Sequence, residues 1–279
     1  ATLVPGTPLR FRASVSIGPS TTGLPITARF TSGPDASAAV TVDNQAILAN
    51  AGAVAASAAA AYVVDPNRSA IVQVVLSNGE RTELSGPGRG TGFLFPSAED
   101  LVLDSAGSRL LLLDDRRDSL FAIDLASGDR SEVSTPGDPG PDLELPRALV
   151  LDAAGGRALV TDDFLDALIE VDLGTGARRE ISGPNAGTGP RLSTPQGVAY
   201  DPVGATAWVT EARDDVVIAV DVRNGDRTVV SSATRGTGVA FVAPRGIVYD
   251  GTRLLVTDEA RGRVIAVDPS TGDRTLLVD

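Results

Sequence analysis

The chain has 279 residues, and 36 Asp and Glu against 24 Lys and Arg give a net charge of -12. This acidic balance argues against nucleic acid or an anionic membrane surface as the main partner, because binding phosphates requires clustered cations. The sequence contains no His, no Cys and no Lys, which excludes catalytic triads, cysteine nucleophiles, Schiff bases, and zinc or haem sites with imidazole or thiolate ligands.

The N-terminal 35 residues contain two strand-like runs, LRFRASVSI and LPITARFTSG. The chain begins at Ala1 without a signal segment, which indicates a processed product and suits a mature exported protein. We therefore expect an extracellular or periplasmic location. The longest weakly apolar stretch, residues 46–64, is mostly Ala and includes Asn50 and Ser57, so we expect no membrane span.

The rest of the chain is a repeat. Four segments align from their leading prolines, which are Pro96, Pro146, Pro195 and Pro244, and a fifth is visible in its second half from Tyr62. The linkers SGPGRGTG, SGPNAGTG and SATRGTG repeat as well. Self-similarity at this spacing is typical of propellers, solenoids and other repeat architectures.

Each repeat contains four short apolar runs, such as GIVYD, RLLVTD, RVIAVD and RTLLV, separated by turn residues. These runs predict four strands. The SGD, NGD and TGD triplets place Gly where a tight hairpin requires a positive φ. A four-stranded antiparallel unit that cannot bury both faces alone is typical of a propeller blade. The sequence therefore predicts an all-β fold, a β-propeller of four-stranded blades.

The order PxGI, VTD, IxxVD, a tight turn and GxRxxxS resembles the NHL, YVTN and gluconolactonase-like group of β-propellers over about residues 36–279. The resemblance implies the fold more strongly than an activity, because the group includes lactonases, lyases, binding modules and scaffolds. We expect six blades. Residues 1–35 would be N-terminal strands forming the outer half of a closing blade, and residues 36–279 the propeller repeats.

Two sets of carboxylates recur. The first closes the second strand of each repeat and the second follows ten residues later; the members are Asp65, Asp114, Asp162, Glu211 and Asp258, then Asp124, Asp172, Asp221 and Asp268. Their abundance raises the possibility of Ca²⁺ binding. A residue that recurs in every blade is better explained by turn capping and hydrogen bonds to loop amides.

The positions at which the repeats differ are better candidates for a site. The residue after the leading Pro should lie near one mouth of the central channel, where the sequence places Glu99, Arg147, Gln196 and Arg245, with Asp100 opposite small residues in the other blades. Such a ring could bind a small anion or a sugar acid, because Arg binds carboxylates through paired hydrogen bonds. Alternatively, these charges are solvated or paired with each other.

The gluconolactonase resemblance implies a divalent metal, Ca²⁺ or another ion, held by Glu, Asn and Asp in the channel and activating a water. Glu99 and Asp100 are the only acidic pair near that position, and no Asn stands at a matching inner-strand site. We therefore expect a non-catalytic propeller without a metal or other cofactor. It would bind a protein or glycan partner or belong to a larger assembly, and the alternative is a metal-dependent lactonase or sugar-ester hydrolase.

Overall fold

A computed structural model describes residues 53–278 in full and the backbone of two strands, β1 (Ile26–Thr31) and β2 (Ser37–Val42). The chain divides into two compact units, Ala1–Ile47 and Leu48–Asp279. In the first unit β1 and β2 form an antiparallel pair, with Ile26 opposite Val42. No helix in the part of the chain that the structure describes is long and apolar enough to cross a membrane.

The second unit contains five four-stranded antiparallel sheets, each formed by strands consecutive in the chain. Blade 1 comprises β3 (Val54–Ala56), β4 (Ala60–Asp65), β5 (Ala70–Val75) and β6 (Arg81–Ser85). Blade 2 comprises β7 (Ala98–Asp104), β8 (Arg109–Asp114), β9 (Ser119–Asp124) and β10 (Arg130–Ser134). Blade 3 comprises β11 (Pro146–Asp152), β12 (Arg157–Asp162), β13 (Ala167–Asp172) and β14 (Arg178–Ser182).

The last two blades follow the same plan. Blade 4 comprises β15 (Pro195–Asp201), β16 (Thr206–Glu211), β17 (Val216–Asp221) and β18 (Arg227–Ser231). Blade 5 comprises β19 (Pro244–Tyr249), β20 (Leu254–Asp258), β21 (Arg263–Val267) and β22 (Arg274–Val278). Short 3₁₀ helices at Pro66–Arg68 and Glu259–Arg261 replace the turn between the second and third strands in blades 1 and 5.

Apolar side chains from neighbouring sheets pack together between the blades. Leu111 and Leu113 of blade 2, for example, share one buried cluster with Val160 of blade 3, and Trp208 of blade 4 shares another with Ile247 of blade 5. Strands β3, β7, β11, β15 and β19 are successive neighbours and line one central cavity. This is the arrangement of a propeller, so the predicted fold class is confirmed at that level.

The expected number of blades is wrong for the described residues, which form five blades and not six. The second N-terminal run contains β1, which pairs with β2, and the first run, residues 9–17, lies outside the described residues. Whether residues 1–35 supply the outer half of a closing blade stays a prediction.

The GxRxxxS motif holds neighbouring blades together. Arg130, at the start of β10, is 9% exposed, and its guanidinium donates hydrogen bonds to the linker that precedes blade 2. Its acceptors are the carbonyl oxygens of Gly86, Arg89, Gly90, Gly92 and Phe93 and the hydroxyl of Ser85. Arg227 and Arg274 repeat the pattern in blades 4 and 5. A buried charge is tolerated only with such compensation.

The contacts of the linkers explain why they contain Gly and Thr. Thr91 donates from its backbone N–H and its hydroxyl to Asp129 Oδ1 in the tight turn of blade 2. At Gly90, where φ is +76°, a Cβ would overlap the carbonyl oxygen of Gly128. The GTG linkers therefore dock backbone against backbone on the next blade.

Candidate functional site

The five inner strands bring their first residues to one mouth of the central channel. The cavity there has a volume of about 510 Å³. All the predicted site residues line it, together with small residues from the same strands and Thr257; the predicted ones are Glu99, Asp100, Arg147, Gln196 and Arg245. The structure thus places the five side chains together, and their role in binding a ligand stays a prediction.

Both arginines of the mouth form ion pairs within their own blades. Arg147 donates from Nε and Nη2 to Asp163 Oδ2, at 3.2 and 3.1 Å. Arg245 donates from Nη1 to the two carboxylate oxygens of Glu259, at 2.9 and 3.0 Å. Asp163 and Glu259 each follow the last residue of the second strand. These pairs reduce the attraction of the mouth for anions.

Blade 2 has two acids where blades 3 and 5 have an ion pair. Glu99 corresponds to Arg147, and Asp115 corresponds to Asp163. Burial raises the pKa of Glu99, and the negative charge of Asp115 raises it further, while Arg147 and Arg245 lower it. Asp115 Oδ1 is buried without a hydrogen-bond partner among the described residues. The mouth therefore has a surplus of negative charge on its blade 2 side.

Asp100 lies at a position of the inner strand where blades 3, 4 and 5 have the small residues Ala148, Gly197 and Gly246. Gly197 cannot be replaced by a longer residue, because a Cβ there would overlap the carbonyl oxygen of Arg245. Asp100 accepts a hydrogen bond from Leu101 N on Oδ1 and one from Leu149 N on Oδ2, both at 2.8 Å. Burial raises the pKa of Asp100 to about 6, against the effect of those two N–H groups, and the charge of Glu99 adds to the increase.

The hydrogen bond from Leu149 N also suggests why an aspartate occurs at this position in blade 2 and not in the other blades. In blades 3 and 4 a threonine of the second strand bridges to the next inner strand: Thr161 Oγ1 donates to Gln196 O at 2.6 Å, and Thr210 Oγ1 to Arg245 O. Blade 2 has Leu113 at the equivalent position. Asp100 therefore provides the bridge that the threonine provides elsewhere, and at the same time places a carboxylate in the channel.

The recurring carboxylates have the structural role that the sequence indicated. Asp162 is fully buried and accepts hydrogen bonds from Glu144 N and Leu145 N of the linker and from Phe164 N and Leu165 N of the following turn. The second set caps the outer turns: Asp172, for example, accepts from Gly174 N and Thr175 N. The hydroxyl of Thr175, which also donates to Asp172, and these two amides lower the pKa of Asp172.

Glu211 departs from this pattern. Its Oε2 accepts from Ser193 N and Thr194 N, both at 2.9 Å, but its Oε1 is buried without a partner among the described residues. Burial raises the pKa of Glu211 to about 7, and the charges of Asp214 and Asp166 contribute. The carboxylate of Glu211, which has one more methylene than Asp, therefore bonds only to the linker. The carboxylate of Asp162 bonds to both the linker and the following turn.

One candidate was missed by the sequence analysis. Phe164 follows Asp163, the partner of Arg147, and is 70% exposed, although it does not line the mouth cavity itself. The other blades have Asn67, Arg116, Arg213 and Ala260 at this turn position. The sequence could have indicated Phe164, because it is an aromatic residue in a turn that is otherwise polar or small in the other repeats. Trp208, in contrast, is buried between blades 4 and 5, and its ring packs against that of Tyr249 at 4.6 Å between ring centroids, with a tilt of 41°.

The mouth does not fit the metal site that the gluconolactonase resemblance implies. No cluster of three or more His, Cys, Asp or Glu among the described residues is arranged to hold a metal ion, and no Asn lines the mouth cavity. Asp100 already accepts backbone hydrogen bonds on both oxygens. We derive no metal-dependent step from this arrangement.

No protein-family model and no curated protein matches the chain. Among solved structures, a chain in "Crystal structure of Nidogen/Laminin Complex" is similar at a TM-score of 0.65 and 19% identity, covering 87% of this chain and 84% of that one. The structure titled "Streptogramin B lyase structure" is similar at a TM-score of 0.62 and 16% identity, covering 84% of this chain and 71% of that one. At these identities the likeness shows the propeller fold alone.

Proposed function

We propose that this chain is a non-catalytic binding propeller that works outside the cell or in the periplasm. In this proposal a loop of a protein partner enters the mouth of the channel. The observation that carries it is the convergence of five polar side chains, from four of the five blades, on one open cavity of about 510 Å³. A groove with a few convergent polar groups is the usual form of a binding site.

The charges of the mouth indicate the chemistry of that loop. Arg147 and Arg245 are each paired with a carboxylate, whereas Glu99, Asp100 and Asp115 have no ion-pair partner within 4.0 Å in the described structure. An acidic loop or sugar acid would be repelled by these three groups. A neutral or basic loop, or a neutral glycan, would find carboxylates as acceptors and the Gln196 amide as a further hydrogen-bonding group.

Phe164 favours a protein over a glycan as the partner. It is 70% exposed and follows Asp163, the ion-pair partner of Arg147, in the chain. Aromatic residues, Phe among them, and Arg are enriched in protein interfaces. The nidogen chain was solved in a complex with laminin, which gives a propeller of similar fold with a protein partner.

The test is an immobilised peptide library and an array of neutral and acidic oligosaccharides, each probed with the purified chain. We expect peptides with Lys or Arg to be retained by the wild type. Phe164→Ala and Glu99→Gln should each lose about tenfold in affinity. Arg223→Ala is the matched control, because Arg223 is exposed and its ion pair with Asp221 lies on an outer turn. Equal binding by all four proteins, or no binding in either array, would contradict the proposal.

The alternative, a metal-dependent lactonase or sugar-ester hydrolase, is tested in the same preparation. Sugar lactones are incubated with the wild type in the presence of Ca²⁺, Mg²⁺, Mn²⁺ or Zn²⁺, and opening of the ring is followed by proton release. Turnover that Glu99→Gln or Asp100→Asn abolishes would establish the enzyme and overturn the non-catalytic assignment. No turnover, together with retained peptide binding, is the result that we expect.

A further inference from the structure

The channel contains a second cavity, of about 280 Å³, farther along the inner strands than the mouth. Consecutive residues of three inner strands line it, with Asp100 from the fourth; they are Leu149 and Val150, then Val198, Ala199 and Tyr200, then Ile247, Val248 and Tyr249. These residues follow the mouth residues in each strand. We call this cavity the lower chamber.

The lining of the lower chamber is both polar and apolar. Leu149, Val198 and Ile247 are buried in the clusters between the blades, whereas the side chain of Val248 is 60% exposed. The two tyrosine hydroxyls already have acceptors elsewhere: Tyr200 donates to Asp152 Oδ2 at 3.2 Å, and Tyr249 donates to the carbonyl oxygen of Gly251 at 2.9 Å. The tyrosines therefore contribute ring surface to the chamber more than hydrogen-bonding capacity.

Among the described residues, Asp100 is the only one with a charged side chain that lines the lower chamber. Each of its carboxylate oxygens accepts one backbone hydrogen bond, and a carboxylate oxygen has two lone pairs. Asp100 can thus accept another hydrogen bond on each oxygen. Since it has no donor to offer when ionised, the complementary group is a hydrogen-bond donor, and a cationic donor is favoured most.

We propose that the lower chamber binds a small molecule with one apolar or aromatic ring and an amine or hydroxyl group, the ring against Val248 and the tyrosine rings and the donor on Asp100. The size is suitable, because an apolar cavity of about 150 Å³ is enough to hold benzene. Carboxylate ligands are excluded by repulsion from Asp100 and the nearby Glu99. Asp100 also lines the mouth, whereas the other residues of the lower chamber do not.

The sequence contains one tryptophan, Trp208, which serves as the reporter. Its ring is stacked on Tyr249, a residue of the lower chamber wall. Benzylamine, benzyl alcohol, toluene and benzoate form a probe series with the same ring and different head groups. Each is titrated into the intact chain while Trp208 emission is recorded, and calorimetry on the same samples gives the dissociation constant.

We expect benzylamine to bind most tightly, benzyl alcohol and toluene more weakly, and benzoate not at all. Asp100→Asn should weaken benzylamine about tenfold and leave toluene unchanged. Val248→Phe should weaken all the ligands, because it fills the chamber at a position that is 60% exposed and can accept a larger side chain. Asp201→Asn is the charge-matched control, since Asp201 caps the turn after β15 and does not line the chamber.

Three results would overturn the proposal: benzoate binding as tightly as benzylamine, an unchanged benzylamine affinity in Asp100→Asn, or no heat and no change in emission with any ligand. If Asp100→Asn does not fold, as judged by circular dichroism, the head-group series in the wild type and the Val248→Phe variant decide the question by themselves.

Discussion

Arginine has different surroundings in two regions of the molecule, the joints that connect neighbouring blades and the mouth of the channel. At the joints, Arg130, Arg227 and Arg274 are buried and surrounded by carbonyl oxygens of the preceding linker. At the mouth, Arg147 and Arg245 are partly exposed, and each contacts one carboxylate. The joint residues are nearly identical between repeats, and the mouth residues differ. This contrast indicates that the joints hold the ring together, and it supports the proposal that the mouth is the binding site.

The largest expected effect is at a joint. Arg130→Ala should lower the free energy of unfolding by about 3 kcal/mol or more, because it removes a charged donor and leaves several buried carbonyl oxygens without partners. Arg178→Ala is the matched variant in blade 3. Arg178 bonds only through Nη2 to Asp138 O and Asp142 Oδ1, and its Nε and Nη1 have no partner among the described residues. Urea denaturation should show a smaller loss for Arg178→Ala, and equal losses would contradict this account of the joints.

The second largest effect on the free energy of unfolding is expected at Glu211, whose carboxylate bonds to the linker before blade 4 and has one oxygen without a partner among the described residues. Its pKa of about 7 lies above its ordinary value, so the folded state binds the proton more tightly than the unfolded state. Its contribution to stability is therefore complete at pH 4 to 5 and is lost as the pH rises through 7. At pH 8, Glu211→Gln should be more stable than the wild type by up to roughly 3 kcal/mol, and its stability should vary less between pH 5 and 8.

Glu211→Asp sharpens the same comparison. The shorter side chain should reach both the linker and the turn, as Asp162 does in blade 3. We therefore expect Glu211→Asp to be more stable than the wild type at pH 8 as well. Parallel pH profiles of unfolding for the wild type and Glu211→Gln would show that Glu211 is not buried as described.

The smallest expected effect on stability is at the mouth. Arg245 has a side chain that is 48% exposed, and its partner Glu259 is 60% exposed. An exposed ion pair contributes little, so Arg245→Ala should change the free energy of unfolding by less than about 1 kcal/mol. A thermal or urea unfolding curve checks this directly. A loss as large as that of Arg130→Ala would assign Arg245 to the framework.

The repeat made the blades predictable. Four apolar runs with Gly in the tight turns specified the strands, because the alternation of the side chains and the positive φ at positions such as Gly128 are local properties. The number of blades was not a local property. It depends on pairing between segments, and the apolar pattern of LPITARFTSG does not by itself specify its pairing with β2.

The location of the site was predictable for the same reason, since the register of the inner strands aligns Glu99, Arg147, Gln196 and Arg245. The partners of these residues were harder to predict. Pairing of Arg147 with Asp163 depends on the path of the turn after the second strand. The bridge from Asp100 to Leu149 crosses between blades, and no spacing within one repeat encodes it. The lower chamber likewise arises only when three inner strands are assembled.

The titration of Asp100 tests the central claim most directly, namely that the inner strands converge on one channel with this carboxylate inside it. Carbon-detected NMR of the Asp side-chain carboxyls, assigned with Asp100→Asn, gives its pKa in the folded protein. The structure predicts a pKa of about 6. A value near that of a solvated aspartate, about 4, would show that Asp100 does not lie in the channel and would contradict the account.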